Sequence, residues 1–244
     1  VDAMANRPPA TPLPPWLEAF RSGLGAAVVE THISWLLLAG DRAYKLKKPI
    51  TLPFLDYGSA DRRRFFCQEE LRLNRRFAPD LYQEVIPVAG SGEWAVCMRR
   101  FAEAQRLEHV CARGALSWER VAELAAVIAG FQAAAPVAGA EVAFGDPDRV
   151  RAPMIENFTE LIPLLPEAGP RLAALQGWTV REFARRRPAL AARKAAGFVR
   201  EGHGDLHLGN LVLFDGRVHA FDCIEFSDDF RWNDPVSELA FLWI

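Results

Sequence analysis

The chain has 244 residues, of which 50% are apolar and 25% are charged, so it can bury a sizeable core and is not wholly disordered. The formal net charge of −2 argues against a nucleic-acid partner bound through a general basic field. No apolar run approaches the ~18–20 residues that span a bilayer, no signal peptide opens the chain, and the four cysteines form no C-x-x-C pair. These features predict a cytoplasmic protein with reduced thiols and no membrane partner.

The first hundred residues are predicted to form a mostly antiparallel sheet with one inserted helix. Residues 1–15 are rich in Pro and Ala and are predicted to be a disordered lead. Apolar periodicity and turn residues then predict the following elements: a helix over Trp16–Leu24, strands within Val28–Lys47, a helix over Asp61–Phe77, and strands over Val85–Ala89 and Trp94–Met98.

The remainder is predicted to be mainly helical. Helices are expected over Leu116–Ala134 and Arg171–Ala196, the second with a break near Pro188, and Pro136–Pro153 is expected to connect them. Near the end of the chain, apolar residues at helical spacing are predicted to belong to the core: Val236, Leu239, Ala240 and Trp243.

A C-terminal hairpin brings polar side chains together. Asp215-Gly216 is a strong two-residue turn signal, and pairing outward from it places Asn210 beside Asp222 at the open end. Amide and carboxylate oxygens at this spacing suit Mg²⁺. Asp205, in a glycine-containing loop, can reach the same opening. A carboxylate that positions a hydroxyl, next to a metal that neutralises phosphate charge, suits phosphoryl transfer.

The stretch HGDLHLGN, residues 203–210, resembles the H-G-D-x-x-x-x-N loop of the aminoglycoside phosphotransferase and choline kinase-like family. Four further segments extend the resemblance over roughly 28–244: THISWLLLAGDRAYKLKKP, EELRLNRRFAPDLY, EWAVCMRRF and FDCIEF. Within the family, the sequence resembles the branch that is often fused to a C-terminal ATP-binding domain. The resemblance implies an α+β, protein-kinase-like two-lobe fold. The expected parts are a nucleotide-binding N-lobe over 16–98, a hinge over 99–102, and an incomplete catalytic C-lobe over 103–244.

The resemblance also implies roles for individual residues. Asp205 matches the base that accepts the hydroxyl proton, Asn210 and Asp222 match the metal ligands, and His203 matches a structural loop residue. The residues expected at the nucleotide share the N-lobe and the hinge: Lys45, Glu70, Met98, Arg99 and Arg100. Lys47 remains an alternative to Lys45, and Glu69 remains an alternative to Glu70.

Three further expectations concern the surroundings of these residues. The phosphate-covering segment ETHIS has no glycine, so the hydroxyls of Thr31 and Ser34 are expected to replace bare backbone amides. Asp234 is expected to bond the backbone of the catalytic loop. The acidic residues after Asp222 favour a cationic acceptor, such as an amino sugar or an aminoglycoside, and are candidate substrate contacts: Glu225, Asp228 and Asp229.

The leading interpretation is an ATP- and Mg²⁺-dependent phosphotransferase acting on a hydroxyl of a small molecule. One alternative is a metal-dependent hydrolase that uses His203, Asp205 and His207 as ligands, with Asp222 as a fourth. Another is a non-catalytic nucleotide-binding module that regulates a fused or separate partner. The choice between ATP and GTP stays open.

Overall fold

A computed structural model describes residues 12–243 of the chain. These residues have α+β secondary structure and divide into two compact units, one of residues 12–133 with 205–228 and one of 134–204 with 229–243. Most of the predicted disordered lead, residues 1–11, lies outside the described residues. The predicted lobe boundaries at 98 and 103 remain predictions. Within residues 12–243, no helix combines the length and apolar character needed to cross a membrane.

The first unit contains a five-stranded antiparallel sheet. Its strands and a small additional hairpin have the following bounds: β1 Ala27–Glu30, β2 Ser34–Ala39, β3 Arg42–Lys47, β4 Thr51–Leu52, β5 Leu55–Asp56, β6 Tyr82–Val88 and β7 Glu93–Arg99. The sheet order is β1-β2-β3-β7-β6. The predicted mostly antiparallel sheet is confirmed.

Helices cover both faces of this sheet. The helices of this part of the chain are α1 Pro15–Leu24, α2 Ala60–Asn74, α3 Leu107–Ala112 and α4 Trp118–Ala134. Because side chains alternate along a strand, β3 directs Tyr44 and Leu46 into the core beneath α1. The same alternation turns Ala43, Lys45 and Lys47 toward α2.

The second unit contains a helix that the sequence patterns did not predict. Helix α5 covers Pro147–Leu164, so the expected connection Pro136–Pro153 is helical in its last seven residues. Proline is tolerated in a first helical turn, which has no backbone partner for its N–H groups. Helix α6 covers Gly169–Ala195 and continues through Pro188, so the predicted break there is wrong.

The C-terminal segments follow α6 in the order β8 Arg200–Glu201, β9 Leu211–Phe214, β10 Arg217–Ala220, α7 Asp228–Arg231, β11 Trp232–Asn233 and α8 Pro235–Trp243. Strands β9 and β10 pair with Phe214 opposite Arg217, so the predicted hairpin register is confirmed. The prediction that Val236, Leu239, Ala240 and Trp243 belong to the core is wrong. Val236 and Trp243 are 57% and 92% exposed, and Glu238 is buried instead.

Candidate active site

A largely buried lysine joins the sheet, helix α2 and the segment after the hairpin. Lys45 on β3 lies with its Nζ atom 2.9 Å from Glu70 Oε1 and also contacts Asp222 Oδ1. Glu69, the alternative to Glu70, instead lies on the outer face of α2, where Arg72 Nη2 is 2.7 Å from its Oε2. The structure therefore brings Lys45, Glu70 and Asp222 together.

The charges in this group support one another. Burial opposes the charge of Lys45, but the carboxylates of Asp222 and Glu70 outweigh it and hold its pKa well above the usual value. Glu70 is fully buried, whereas the Asp222 side chain is 46% exposed. Lys45 is thus a permanent ammonium, and one of its carboxylate partners remains accessible to ligands from solvent.

A second lysine, whose contacts the sequence did not reveal, reaches the same helix carboxylate. Lys47 Nζ lies 2.7 Å from Glu70 Oε2 and also contacts the Glu225 carboxylate and the Tyr57 hydroxyl. Glu225, a candidate substrate contact, is only 5% exposed, since it faces Lys47 and accepts the Tyr57 O–H. The alternation of β3 explains why both lysines point to one side.

The two other acidic candidates lie further along the segment. Asp228 and Asp229 are exposed. The Asp229 carboxylate lies 2.9 Å from Arg149 Nη2, within the second unit.

The backbone of Asp222 is fixed from helix α2 and strand β6. Asp222 has a φ of 62°, a left-handed conformation that a non-glycine residue holds only when its surroundings enforce it. Its N–H donates to the Tyr82 hydroxyl at 3.1 Å, and the N–H of Cys223 donates to Asn74 Oδ1 at 2.9 Å. The Asn74 amide in turn donates to the Glu70 carbonyl at 2.8 Å. Helix α2 therefore holds both the lysine partner and the Asp222 segment.

The loop before the hairpin joins Asp205 to Asn210. The side-chain amide of Asn210 donates to the backbone oxygen of Asp205 at 2.9 Å and to its Oδ2 at 3.0 Å. The Asp205 side chain is 40% exposed and can meet a substrate. His207 Nδ1 accepts the N–H of Gly209 at 3.1 Å, and Arg106 Nε donates to the Gly209 carbonyl at 2.8 Å.

An added Cβ at Gly209 would lie 2.7 Å from the His207 ring, so a larger residue there would displace that ring. Arg106 was not identified from the sequence, since nothing near it in the chain indicates a contact 103 residues away.

The second unit contains His203 and Asp234. His203 is fully buried, as expected for a structural loop residue. The Asp234 carboxylate pairs with Arg193, at 2.8 Å from Nη2, and accepts the N–H of Val236. The loop amides of His203 and Gly204 donate instead to Glu238 Oε1. The role expected of Asp234 thus belongs to Glu238, one helical turn later, which explains why α8 buries this charged residue.

The proposed phosphate-covering turn is closed by its own side chains. The Thr31 hydroxyl accepts the N–H of Ser34 at 3.0 Å and donates to the Ser34 carbonyl at 3.1 Å, so it serves the turn itself. Within residues 12–243, the buried hydroxyl of Ser34 has no hydrogen-bond partner. Lys48 Nζ lies 2.7 Å from Glu30 Oε1 and also bonds the Thr31 carbonyl. The turn is therefore ordered without glycine.

The predicted hinge begins at the end of β7. Met98 is part of the sheet, where it lies opposite Ala43. The N–H of Arg99 donates to Leu81, and the N–H of Arg100 donates to the Asp41 carbonyl at 2.7 Å. Both amides are thus used within the chain, and the role of these residues at adenine remains a prediction.

The donor set at the hairpin fits Mg²⁺. The amide nitrogen of Asn210 points at Asp205, so the amide oxygen of Asn210 points away from Asp205. Asp222 offers a half-exposed carboxylate. Hard oxygen donors are the ligands that Mg²⁺ prefers. Among residues 12–243, the one convergent group of three His, Cys, Asp or Glu side chains is Glu103, Glu108 and His109. This group contains none of the ligands expected for the hydrolase alternative.

Comparison with solved structures identifies the fold. The choline/ethanolamine kinase family protein from Mesorhizobium loti superposes with a TM-score of 0.51 over 93% of this chain and 69% of that chain, at 18% identity. The streptomycin–ATP complex of APH(2")-IIa superposes with a TM-score of 0.49 over 93% of this chain and 75% of that chain, at 15% identity. The first of these confirms the predicted kinase-like α+β fold.

Comparison with curated sequences finds relatives that are themselves uncharacterized. Rv2004c and MT2060 of Mycobacterium tuberculosis and Mb2027c of Mycobacterium bovis are each 33% identical over 222 residues, covering 88% of this chain. The chain spans 44% of the length of each of these relatives. No protein-family profile matches the sequence.

Proposed function

We propose that the chain is the kinase-like part of an ATP-dependent phosphotransferase that moves the γ-phosphate to a hydroxyl of a small molecule. The observation that carries this proposal is the contact of Lys45 with both Glu70 and Asp222. A strand lysine paired with a helix carboxylate, next to an aspartate that can bind metal, is the arrangement that kinase-like folds use for nucleotide phosphates. The fold shared with a choline/ethanolamine kinase family protein supports the same reaction class.

Each residue has a proposed role. Asp205 accepts the proton of the acceptor hydroxyl, since its carboxylate is accessible and is oriented by Asn210. Asn210 and Asp222 would hold Mg²⁺, which, when bound, neutralises phosphate charge. Lys45 donates to the α- and β-phosphates, because its ammonium remains charged despite burial.

The proposed acceptor is a small molecule that carries a positive charge. Of the three acidic residues expected to favour a cation, Glu225 contacts Lys47 and Asp229 contacts Arg149, and the Asp228 side chain is exposed. An amino sugar or an aminoglycoside remains the proposed class. The hydrolase alternative has little support, since His207 Nδ1 already accepts a backbone N–H.

A substrate screen tests the proposal. The protein is incubated with Mg²⁺, ATP or GTP, and in turn amino sugars, aminoglycosides, choline and simple sugars, and nucleoside diphosphate release is measured. We expect acceptor-dependent release that the Asp205→Asn variant lacks. Binding of ATP without turnover on any acceptor would favour the non-catalytic module, and Zn²⁺-dependent hydrolysis without nucleotide would favour the hydrolase.

A further inference from the structure

Lys47 is too deeply buried to touch a ligand, yet it is central to the charged cluster. Its side chain is 1% exposed, and those of Glu70 and Glu225 are 0% and 4% exposed. The Tyr57 hydroxyl completes this enclosure. Whatever Lys47 contributes to the site must therefore act through other residues.

The cluster has a ladder arrangement. Glu70 gives one carboxylate oxygen to Lys45 and the other to Lys47, at 2.9 and 2.7 Å. Lys45 continues to Asp222, and Lys47 continues to Glu225, three residues further along the same segment. Helix α2 and this segment are thus joined through two parallel lysine bridges instead of one.

The charges explain why two lysines are present. The five groups carry two positive and three negative charges when ionised. The two lysines are balanced by the two buried carboxylates, Glu70 and Glu225, so the remaining negative charge falls on Asp222, whose side chain is 46% exposed. A half-exposed carboxylate above a buried group of charges that sum to zero is suited to bind a divalent cation.

We propose that Lys47 and Glu225 are positioning residues that fix Asp222 for metal binding and reserve Lys45 for the nucleotide. This inference rests on the proposed function, because it assigns Asp222 to Mg²⁺. Without Lys47, the ammonium of Lys45 would face Glu70 and Glu225 as well as Asp222. It would be drawn into the interior, and the segment from Asp222 to Glu225 would lose one of its two lysine bridges to helix α2.

The test removes both charges of the pair at once. A single Lys47→Met change leaves Glu225 buried without its main counter-charge and can prevent folding. The double variant Lys47→Met/Glu225→Gln removes the two charges together and keeps an acceptor for Tyr57. Glu225→Gln alone is a milder second variant. The matched control is Glu18→Gln/Arg21→Met, which removes a partly exposed ion pair on α1.

The readout is metal affinity, which a purely structural role would not alter in a folded protein. Mn²⁺ is titrated into each variant saturated with a non-hydrolysable ATP analogue, and free Mn²⁺ is measured by electron paramagnetic resonance. We expect the apparent dissociation constant of Mn²⁺ to rise about 10-fold or more in the double variant, the usual effect of removing an outer-shell partner. A smaller rise is expected for Glu225→Gln, and none for the control.

Two results would overturn the inference, and they differ in what they imply for the proposed function. If the wild-type chain binds the analogue with Mn²⁺ and both Glu225 variants, with native circular dichroism, stay within twofold of it, the positioning role is wrong and the proposed function stands. If the wild-type chain binds neither the analogue nor Mn²⁺ in its presence, the proposed function fails, and this inference fails with it.

Discussion

Two adjacent glutamates on helix α2 provide a sharp test of the charged cluster. Glu70 is fully buried, with a lysine Nζ at 2.9 Å and another at 2.7 Å from its carboxylate oxygens. Glu69 faces outward and pairs with Arg72, and their side chains are 22% and 47% exposed. The changes Glu70→Gln and Glu69→Gln remove the same charge from neighbouring positions, so each is the control for the other.

The two changes should lower the free energy of unfolding by very different amounts. Removing one partner of a buried ion pair typically costs ~3–5 kcal/mol. We expect about 3 kcal/mol for Glu70→Gln, because the two lysines still contact Asp222 and Glu225. An exposed pair three residues apart on a helix contributes only ~0.2–0.5 kcal/mol.

For a chain of this size, 1 kcal/mol shifts the melting temperature by ~2–4 °C. The expected losses are therefore about 6–12 °C for Glu70→Gln and about 1 °C for Glu69→Gln. Thermal unfolding followed by circular dichroism at neutral pH measures both. High salt should reduce the small Glu69 effect but hardly the large one, since buried pairs are screened little. Equal shifts for the two variants, or a larger one for Glu69→Gln, would refute this account of the cluster.

Three further predictions concern catalysis, thiol reactivity and pH. Asp205→Asn should lower kcat by ~10²–10⁴ without lowering the melting temperature, because the carboxylate is 40% exposed; wild-type turnover in the acceptor assay would contradict it. A thiol reagent should label Cys111 rapidly and Cys67 slowly, because Cys111 is exposed and burial raises the pKa of Cys67 to about 12; rapid labelling that persists in Cys111→Ser would be inconsistent with this.

Burial opposes both charges of the Lys47–Glu225 pair, but mutual attraction lowers the pKa of Glu225 and raises that of Lys47. The stabilisation from this pair should be complete between the ordinary values of 4.5 and 10.5. It should be lost as pH falls through the folded pKa of Glu225 or rises through that of Lys47. Urea unfolding across pH checks this prediction, which fails if Lys47→Met/Glu225→Gln shows the same acid loss as wild type.

Local features of the hairpin could be predicted from the sequence alone. Asp215 and Gly216 have φ values of 48° and 78°, which a two-residue hairpin turn requires and which Asp and Gly readily adopt. The register follows by counting, and it places Asn210 just before β9 and Asp222 just after β10, both toward the open end of the hairpin. The strand period likewise placed Lys45 and Lys47 on one face, but it could not say which one reaches the accessible aspartate.

The supports of the site could not be predicted, because they come from distant parts of the chain. Tyr82 and Asn74 bond the backbone of Asp222 and Cys223 across 140 and 149 residues. Both lie in the segment EELRLNRRFAPDLY, but the resemblance assigned neither a role, and each would be an ordinary residue of a strand or helix if judged from its neighbours. Tertiary packing also overrode a local signal at Pro188, where α6 remains helical alongside α5.

The glycine-free turn between β1 and β2 is ordered by its own side chains. A glycine-rich loop is flexible and must be ordered when a ligand binds, which costs free energy. Here the Thr31 hydroxyl closes the turn on Ser34, and Lys48 ties it to Glu30. The free-energy cost of ordering this turn is therefore met when the chain folds. The lack of glycine in ETHIS is therefore no argument against contact with phosphates, since a turn ordered in advance needs fewer contacts to bind them.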